Sequence, residues 1–394
     1  DGKLDLAAAA WFGNVVDVLL NTRPRRCDPG LEVATNAQLG ASPQAISGGD
    51  FNGDGKPDVA VIDGSEGNLK VLLGTGNGGY RPPVITAIPG GGGSHFVAAD
   101  FNADGKLDVA TPAETGANLF AGAGTGSFAA PVATAGGTFP TSLAAGDFNG
   151  DDKLDVVTVM ETNGLVSVFL FSGSAFSAPV HLAVGMQPLS AAVGDFDRDG
   201  KRDLAVVNLA KVAVARGNGD GTFSALAYYD AGAGPAFVVA SDFDRDGELD
   251  LAVANRDGAS VSILRGNGDA TFAAPVSYPV AANPRWLSVD DLDDNGSPDL
   301  LVGFASGSGQ AAMVLLGNGD GTLSAATSWH FAATPVAVTS ADFDADGKLD
   351  LAAAVASASP RLTTLFGKGD GTFPAIPTQA VDAQPHVMTA ADFD

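Results

Sequence analysis

The sequence predicts an all-β ring of four-stranded antiparallel blades, a β-propeller, and three observations carry that expectation. A nine-residue acidic segment recurs seven times, from Asp50, Asp100, Asp147, Asp195, Asp242, Asp291 and Asp342, with starts 50, 47, 48, 47, 49 and 51 residues apart. Between copies the chain passes through short runs rich in β-branched residues, separated by Gly, Asn and Asp turns, which are strand and hairpin signals. No stretch keeps a helical apolar period with caps over helix length. Four strands per unit of roughly 40–50 residues match one propeller blade. The repeat overrides the length prior for several domains, so residues 1–394 are read as a single propeller domain.

In chain order, residues 1–40 supply the second, third and fourth strands of a blade without its first. The chain opens with DGKLD (Asp1 to Asp5), the second half of the acidic segment, and closes with DFD (Asp392 to Asp394), the first half. The expectation is a segment of a longer protein, cut within a repeat. An unpaired inner strand would leave an exposed edge, a liability that closed rings avoid. The run before Asp392 should therefore pair with the run near Leu4 to Ala9 and complete the first blade from both ends of the chain. That gives eight blades; the alternative is seven blades plus a remnant. Asp392 and Asp394 would then approach Asp1 and Asp5 as a nicked eighth loop. RPRRCDPG (Arg23 to Gly30) stands where later units carry a GNGDGTF turn.

The unit around Asp242 shows the later elements in order. A strand at Phe237 to Ser241 precedes the loop, and Leu251 to Ala254 follows it. The turn at Asn255 to Gly258 leads to Val261 to Leu264, then the turn GNGDATF (Gly266 to Phe272) and a last strand near Pro275 to Tyr278. The strand before the loop is often built of small residues, as in Ser142 to Gly146 and Ser190 to Gly194, which suits strands converging on an axis.

The loops carry the chemistry. They read DFNGDGKPD, DFNADGKLD, DFNGDDKLD, DFDRDGKRD, DFDRDGELD, DLDDNGSPD and DFDADGKLD, with carboxylate or amide oxygens at positions 1, 3, 5 and 9 and Gly at 6 in all but one copy. A hard cation needs oxygen ligands converging from a tight turn, and glycine permits that turn. A helical EF-hand would require a bidentate acid at position 12, where this chain has Val61, Thr111, Thr158, Val206, Val253, Val302 and Ala353. Closure falls instead to the Asp at position 9. The net charge of −25 has the same source, because ligand positions hold 24 of the 46 acids. Seven divalent cations would cancel more than half of it. That charge argues against nucleic acid or an anionic membrane as partner, and no apolar run is long enough for direct membrane insertion. Cys27 is the one cysteine, so rigidity must come from packing and metal.

The segments DFNGDGKPDVAV, DFDRDGKRDLAVVN and DFDADGKLDLAAAV, followed by GNGDGTF from Gly217 and GNGDGTL from Gly317, resemble FG-GAP/VCBS repeats. Such repeats build the calcium-loaded propeller of integrin alpha subunits and of many bacterial secreted proteins. The resemblance covers nearly the whole chain. It implies that each loop joins the first and second strands of a blade, with calcium held by positions 1, 3, 5 and 9 and by the backbone carbonyl of position 7. The implied ligand sets are Asp50, Asn52, Asp54, Lys56 and Asp58; Asp100, Asn102, Asp104, Lys106 and Asp108; and Asp147, Asn149, Asp151, Lys153 and Asp155. Next come Asp195, Asp197, Asp199, Lys201 and Asp203, then Asp242, Asp244, Asp246, Glu248 and Asp250. The last two are Asp291, Asp293, Asn295, Ser297 and Asp299, and Asp342, Asp344, Asp346, Lys348 and Asp350. About seven calcium ions are expected, tightest at the four-carboxylate loops from Asp195, Asp242 and Asp342. The weakest should be at Asp147, where Asp152 replaces the glycine.

The GNGDGTF segments are hairpin turns. His95, His181, His330 and His386 lie in different units without zinc spacing, and no nucleophile elbow, phosphate loop or HExxH is present. If strands alternate, the loops and the 3–4 turns share one face. The other face collects Trp11, Phe12, Glu114, Glu161, Arg256, Arg285, Trp286, Arg361, His95 and His386, and a ligand is expected there. The favoured reading is a secreted or cell-surface, monomeric adhesion or interaction scaffold with an extracellular protein or glycan ligand. A glycan-binding (lectin-like) module is the alternative, and a calcium-dependent polysaccharide-degrading enzyme resting on His95, Arg285 and His386 comes third.

Overall fold

The computed structural model describes residues 5–10, 15–21, 31–38, 43–56, 58–63, 66–75, 80–90, 96–134, 140–304, 312–324, 327–329, 335–341, 347–355, 361–365, 367–373, 379–380 and 385–391. Their strands pair as eight four-stranded antiparallel sheets, here numbered as blades. Blade 1 joins Pro385–Ala391, Asp5–Ala10, Val15–Asn21 and Leu31–Gln38. Blade 2 comprises Pro43–Gly49, Asp58–Asp63, Asn68–Leu72 and Val84–Ala87, and blade 3 Val97–Ala99, Asp108–Ala113, Gly116–Phe120 and Val132–Ala133. Blade 4 is Ser142–Gly146, Asp155–Met160, Leu165–Phe169 and Val180–Ala183; blade 5 is Ser190–Gly194, Asp203–Val207, Val212–Ala215 and Ala227–Tyr229. Blade 6 has Pro235–Ser241, Asp250–Asn255, Ser260–Leu264 and Val276–Pro279, and blade 7 Pro284–Asp290, Asp299–Phe304, Ala312–Leu315 and Thr327–Trp329. Blade 8 ends the series with Pro335–Ala341, Asp350–Val355, Arg361–Leu365 and Gln379–Ala380.

The middle strands explain why the blades stack. Asp250–Asn255 and Ser260–Leu264 are buried along their whole length, whereas the outer strand Val276–Pro279 is mostly exposed. Side chains alternate between the two faces of a strand. Leu251 and Val253 accordingly pack with Val207, Val212 and Val214 of blade 5, and Ala252 and Ala254 pack with Leu287, Leu300 and Val302 of blade 7. Each fully buried Val or Leu contributes about 1.5–3 kcal/mol of burial, so the core is a series of blade interfaces. The inner strands need small residues for the same reason. A Cβ on Gly194 would sit 2.7 Å from Leu249 of the next blade.

The ring closes as the sequence leads one to expect. Pro385–Ala391 pairs antiparallel with Asp5–Ala10, placing Ala391 opposite Asp5 and Ala390 opposite Leu6. Pro385–Ala391 also lies between the first strands of blades 8 and 2. The eighth loop, at Asp392, Asp394 and Asp1, lies outside the described residues, as does the segment from Arg23 to Gly30.

Candidate metal centre

Each acidic loop is shaped by its own side chains. The Asp at position 1 accepts hydrogen bonds from the amides ahead of it. Asp50 Oδ1 takes Gly53 N at 2.7 Å and Asp54 N at 3.2 Å, while its Oδ2 takes Gly55 N at 2.8 Å. Position 3 then accepts from position 5, and position 5 from position 7, as Asn52 does from Asp54 at 2.8 Å and Asp54 from Lys56 at 3.0 Å. The same pattern holds in the loops from Asp100, Asp195 and Asp242. The Asp147 loop keeps it too, with Asp152 N donating to Asp147 Oδ2 at 2.9 Å from a left-handed φ of 62°. A non-glycine residue there carries strain, yet the turn is retained.

The Asp at position 9 is a buried staple. Asp250 is fully buried; its Oδ2 accepts Phe243 N at 2.9 Å and its Oδ1 accepts Gly266 N, in the 3–4 turn, at 2.8 Å. Asp58, Asp108, Asp203 and Asp299 bond in the same way, to Gly74, Gly122, Gly217 and Gly317 in turn. Asp155 does so with Phe171. The loop and the 3–4 turn therefore share one face, as expected. Burial pushes the carboxyls of Asp58, Asp155, Asp203, Asp250 and Asp299 up to about 6; the two amide donors oppose this and the neighbouring loop carboxylates add to it. Asp108 is raised for the same reasons.

Among the described residues, three loops bring three acids together. One carboxylate oxygen each from Asp195, Asp197 and Asp199 lies within 4.8 Å of the others, and likewise for Asp242, Asp244 and Asp246 and for Asp291, Asp293 and Asp299. The donor set is oxygen only and strongly anionic, which fits a hard divalent cation. The acids of the Asp342 loop, Asp342, Asp344 and Asp346, lie outside the described residues, as does the side chain of Asp350. Lysines at position 7 fold back on position 5. Lys201 Nζ is 2.7 Å from Asp199, and Lys106 and Lys153 lie 3.3 Å from Asp104 and Asp151.

Four arginines modify these loops, and the sequence reading passed over them. Arg216 lies 3.6 Å from Asp197 and Arg265 3.8 Å from Asp244. The extra carboxylate that distinguishes these loops is thus partly offset by a cation, which narrows the expected advantage of four acids over three. Arg198 and Arg245 reach across to the next blade. The available signal was arginine at loop position 4 and immediately before the 3–4 turn in the same two units.

The opposite face holds a cleft of about 620 Å³ lined by Glu161, Thr162, Asn163, Gly164, Ala183, Gly185, Met186 and Gln187. Met186 is 73% exposed, and Gln187 is held at a left-handed φ of 52°. Trp286 is half-buried against the core between blades 7 and 8. Arg285 is exposed and Arg256 pairs with Asp257 at 2.8 Å. Glu114 is exposed on the turn after Asp108–Ala113. Trp11, Phe12, His95 and His330 lie outside the described residues, as do the side chains of Arg361 and His386. His181 Nδ1 bonds Ser167 Oγ at 2.7 Å. In the GNGDGTF turns Asp220 accepts Thr222 N at 2.9 Å, a closed hairpin contact.

A ring of four-stranded blades with an acidic turn between the first and second strands defines a repeat β-propeller of the acidic-loop class. The chain belongs to the FG-GAP-like repeat family, whose pattern matches residues 50–111, 113–158, 153–206, 195–253, 242–302 and 291–353. Solved structures share the fold. One is a lectin of Agrocybe aegerita, described for specific recognition of non-reducing terminal N-acetylglucosamine. It has TM-score 0.56 and 20% identity, and the alignment covers 100% of this chain and 96% of the lectin. Dihydro-heme d1 dehydrogenase NirN in complex with DHE aligns with TM-score 0.65 and 14% identity over 98% of this chain and 74% of its own. Apo AztD from Citrobacter koseri gives 0.56 and 12% over 99% and 98%. These likenesses are of fold alone. No curated protein matches the sequence. Among the described residues no helix is long and apolar enough to cross a membrane.

Proposed function

We propose that this chain is a calcium-binding repeat propeller acting outside the cell as an adhesion or interaction scaffold, a single monomeric domain over residues 1–394. The observation that carries the reading is the convergence of three carboxylates within 4.8 Å in three successive blades. Such groups repel one another unless a cation lies between them. Positions 1, 3, 5 and 9 of each loop, with the position 7 carbonyl, would hold about seven ions, and bound calcium would supply charge neutralisation and loop order. Calcium modules of this kind bind at about 10⁻⁴ to 10⁻³ M, concentrations met outside the cell. Thermal unfolding with EGTA and with millimolar calcium should then differ by many degrees; equal midpoints would sink the reading.

A second reading, a glycan-binding module, is favoured by the cleft on the opposite face. Glu161, Thr162, Asn163 and Gln187 offer hydrogen-bonding groups beside the exposed Met186, which gives an apolar platform for a sugar ring. The fold shared with a lectin supports it. Glycan-array binding that is lost in Glu161→Ala while the calcium-loaded midpoint stays unchanged would select this reading over a protein-binding scaffold.

A further inference from the structure

Two arginines tie three successive acidic loops together. Each stands at position 4 of its loop in left-handed conformation, with φ of 57° at Arg198 and 59° at Arg245. The same position is left-handed in the other described copies too, at Gly53, Ala103, Gly150 and Asp294, so the turn itself does not require arginine. What the arginine adds is a contact with the next blade. Arg198 Nε donates to the Gly247 carbonyl at 3.2 Å, Nη2 to the Asp246 carbonyl at 3.4 Å, and Nη1 pairs with Glu248 Oε1 at 2.7 Å. Arg245 Nη2 donates to the Asn295 backbone carbonyl at 2.5 Å and approaches its side-chain oxygen at 3.4 Å.

Arg198 holds the Gly247 carbonyl, and both arginines reach the peptide between positions 5 and 6 of the downstream loop. Its carbonyl end meets the guanidinium. Its N–H end closes the loop, with Gly247 N donating to Asp242 Oδ2 at 2.9 Å and Gly296 N to Asp291 Oδ2 at 2.7 Å. A peptide unit is planar and trans, so holding the carbonyl aims the N–H at the position 1 carboxylate. A Cβ on Gly247 would come within 2.5 Å of the Arg198 guanidinium, and one on Gly296 within 2.9 Å of that of Arg245. Glycine at position 6 therefore also clears the path of the arginine. Of the seven intact loops, only those from Asp195 and Asp242 have arginine at position 4. Among the described residues, they and the loop they reach, from Asp291, are the three in which three carboxylates converge.

Resting on the calcium reading above, we infer that Arg198 and Arg245 are positioning residues that couple these three loops, so that calcium in one tightens binding in the next. The arginine belongs to the upstream loop, and ordering that loop fixes its base. The fixed guanidinium then presets the downstream peptide, lowering the ordering cost of the second ion. By linkage the effect is reciprocal. The guanidinium also repels a cation, but both arginines are on the surface, where such repulsion is screened, and Glu248 neutralises Arg198.

The test uses the whole chain, calcium alone, and the double variant Arg198→Gly/Arg245→Gly, which places the least strained residue at each left-handed position. Calcium occupancy is read loop by loop from anomalous scattering at graded calcium, alongside isothermal titration. In the variant the loops from Asp242 and Asp291 should need about five- to tenfold more calcium, with the loops from Asp50 and Asp100 unchanged. Asp195→Asn should weaken the Asp242 loop in the parent chain and leave it unaffected once Arg198 is glycine, a response that a merely structural arginine would not give. Unchanged or tighter binding at Asp242 and Asp291 in the double variant overturns the coupling while the calcium reading stands. A parent chain that takes up no calcium overturns both.

Discussion

At the scale of single residues, the Asp at position 9 and the Asp at position 5 have the same side chain and different tasks. Asp250 is fully buried and spends both oxygens on backbone amides of its own loop and of the 3–4 turn; Asp246 is exposed at the loop tip. Without calcium, Asp250→Asn leaves one amide facing a second donor. It should cost about 1–3 kcal/mol, the usual penalty for an unsatisfied buried donor. Asp246→Asn should stay within about 0.5 kcal/mol. Urea unfolding in EGTA measures both, and equal effects would remove the staple. The raised carboxyls also set a pH trend. Their folded values near 6 exceed the ordinary 3.8, so between those values the folded chain binds more protons than the unfolded one. Stability in EGTA must then fall as pH rises from about 4 to about 6. With saturating calcium the trend should reverse, because the ion competes with the protons. Melting at pH 5 and pH 7, with and without calcium, checks the sign.

At the scale of the element, the strands were legible because turn chemistry brackets them. The sequence placed the strands of the Asp242 unit within two residues of Pro235–Ser241, Asp250–Asn255, Ser260–Leu264 and Val276–Pro279. The acidic loops were equally plain, since Asp or Asn recurs at positions 1, 3, 5 and 9 of each copy. What stayed hidden was contact between units. The GNGDGTF segment reads as a hairpin turn and is one, but it also clips its blade to the one before. Gly221 N donates to the Phe148 carbonyl at 3.0 Å, and Phe148 meets Phe223 with ring centroids 5.6 Å apart. Phe196 and Phe272 repeat the pair at 5.6 Å, and Phe51 and Phe128 at 6.2 Å. A periodic pattern fixes each unit and says nothing about which neighbour a side chain touches. The arginines at position 4 were missed for the same reason. Phe196 is buried between blades 5 and 6, so Phe196→Ala should cost about 3–5 kcal/mol. Chemical denaturation measures this; a loss under about 1 kcal/mol would mean that the interface relaxes into the gap.

At the scale of the whole molecule, a closed ring differs from an open stack in leaving no inner strand without its blade, and here the seal is non-covalent. Pro385–Ala391 and Asp5–Ala10 come from opposite ends of the described chain, so every strand pairing in blade 1 that involves Pro385–Ala391 closes the longest loop in the protein. Such closure costs chain entropy, and this seam is expected to open before any other blade. A covalent bond across it should therefore stabilise the ring more than one within a blade. Leu6 and Ala390 are directly opposite in the antiparallel pair, a placement that puts Cα atoms about 4.5–5.5 Å apart, inside the range a disulfide spans. With Cys27→Ser to remove the competing thiol, Leu6→Cys/Ala390→Cys should cross-link on mild oxidation and gain roughly 2–4 kcal/mol over its reduced form. Ser190→Cys/Val207→Cys, opposite residues within blade 5, closes a short loop and should gain less. Failure of the first pair to cross-link in the folded protein would reject the closed eight-bladed ring. Cross-linking with no rise in melting temperature would show instead that the seam is not where unfolding begins.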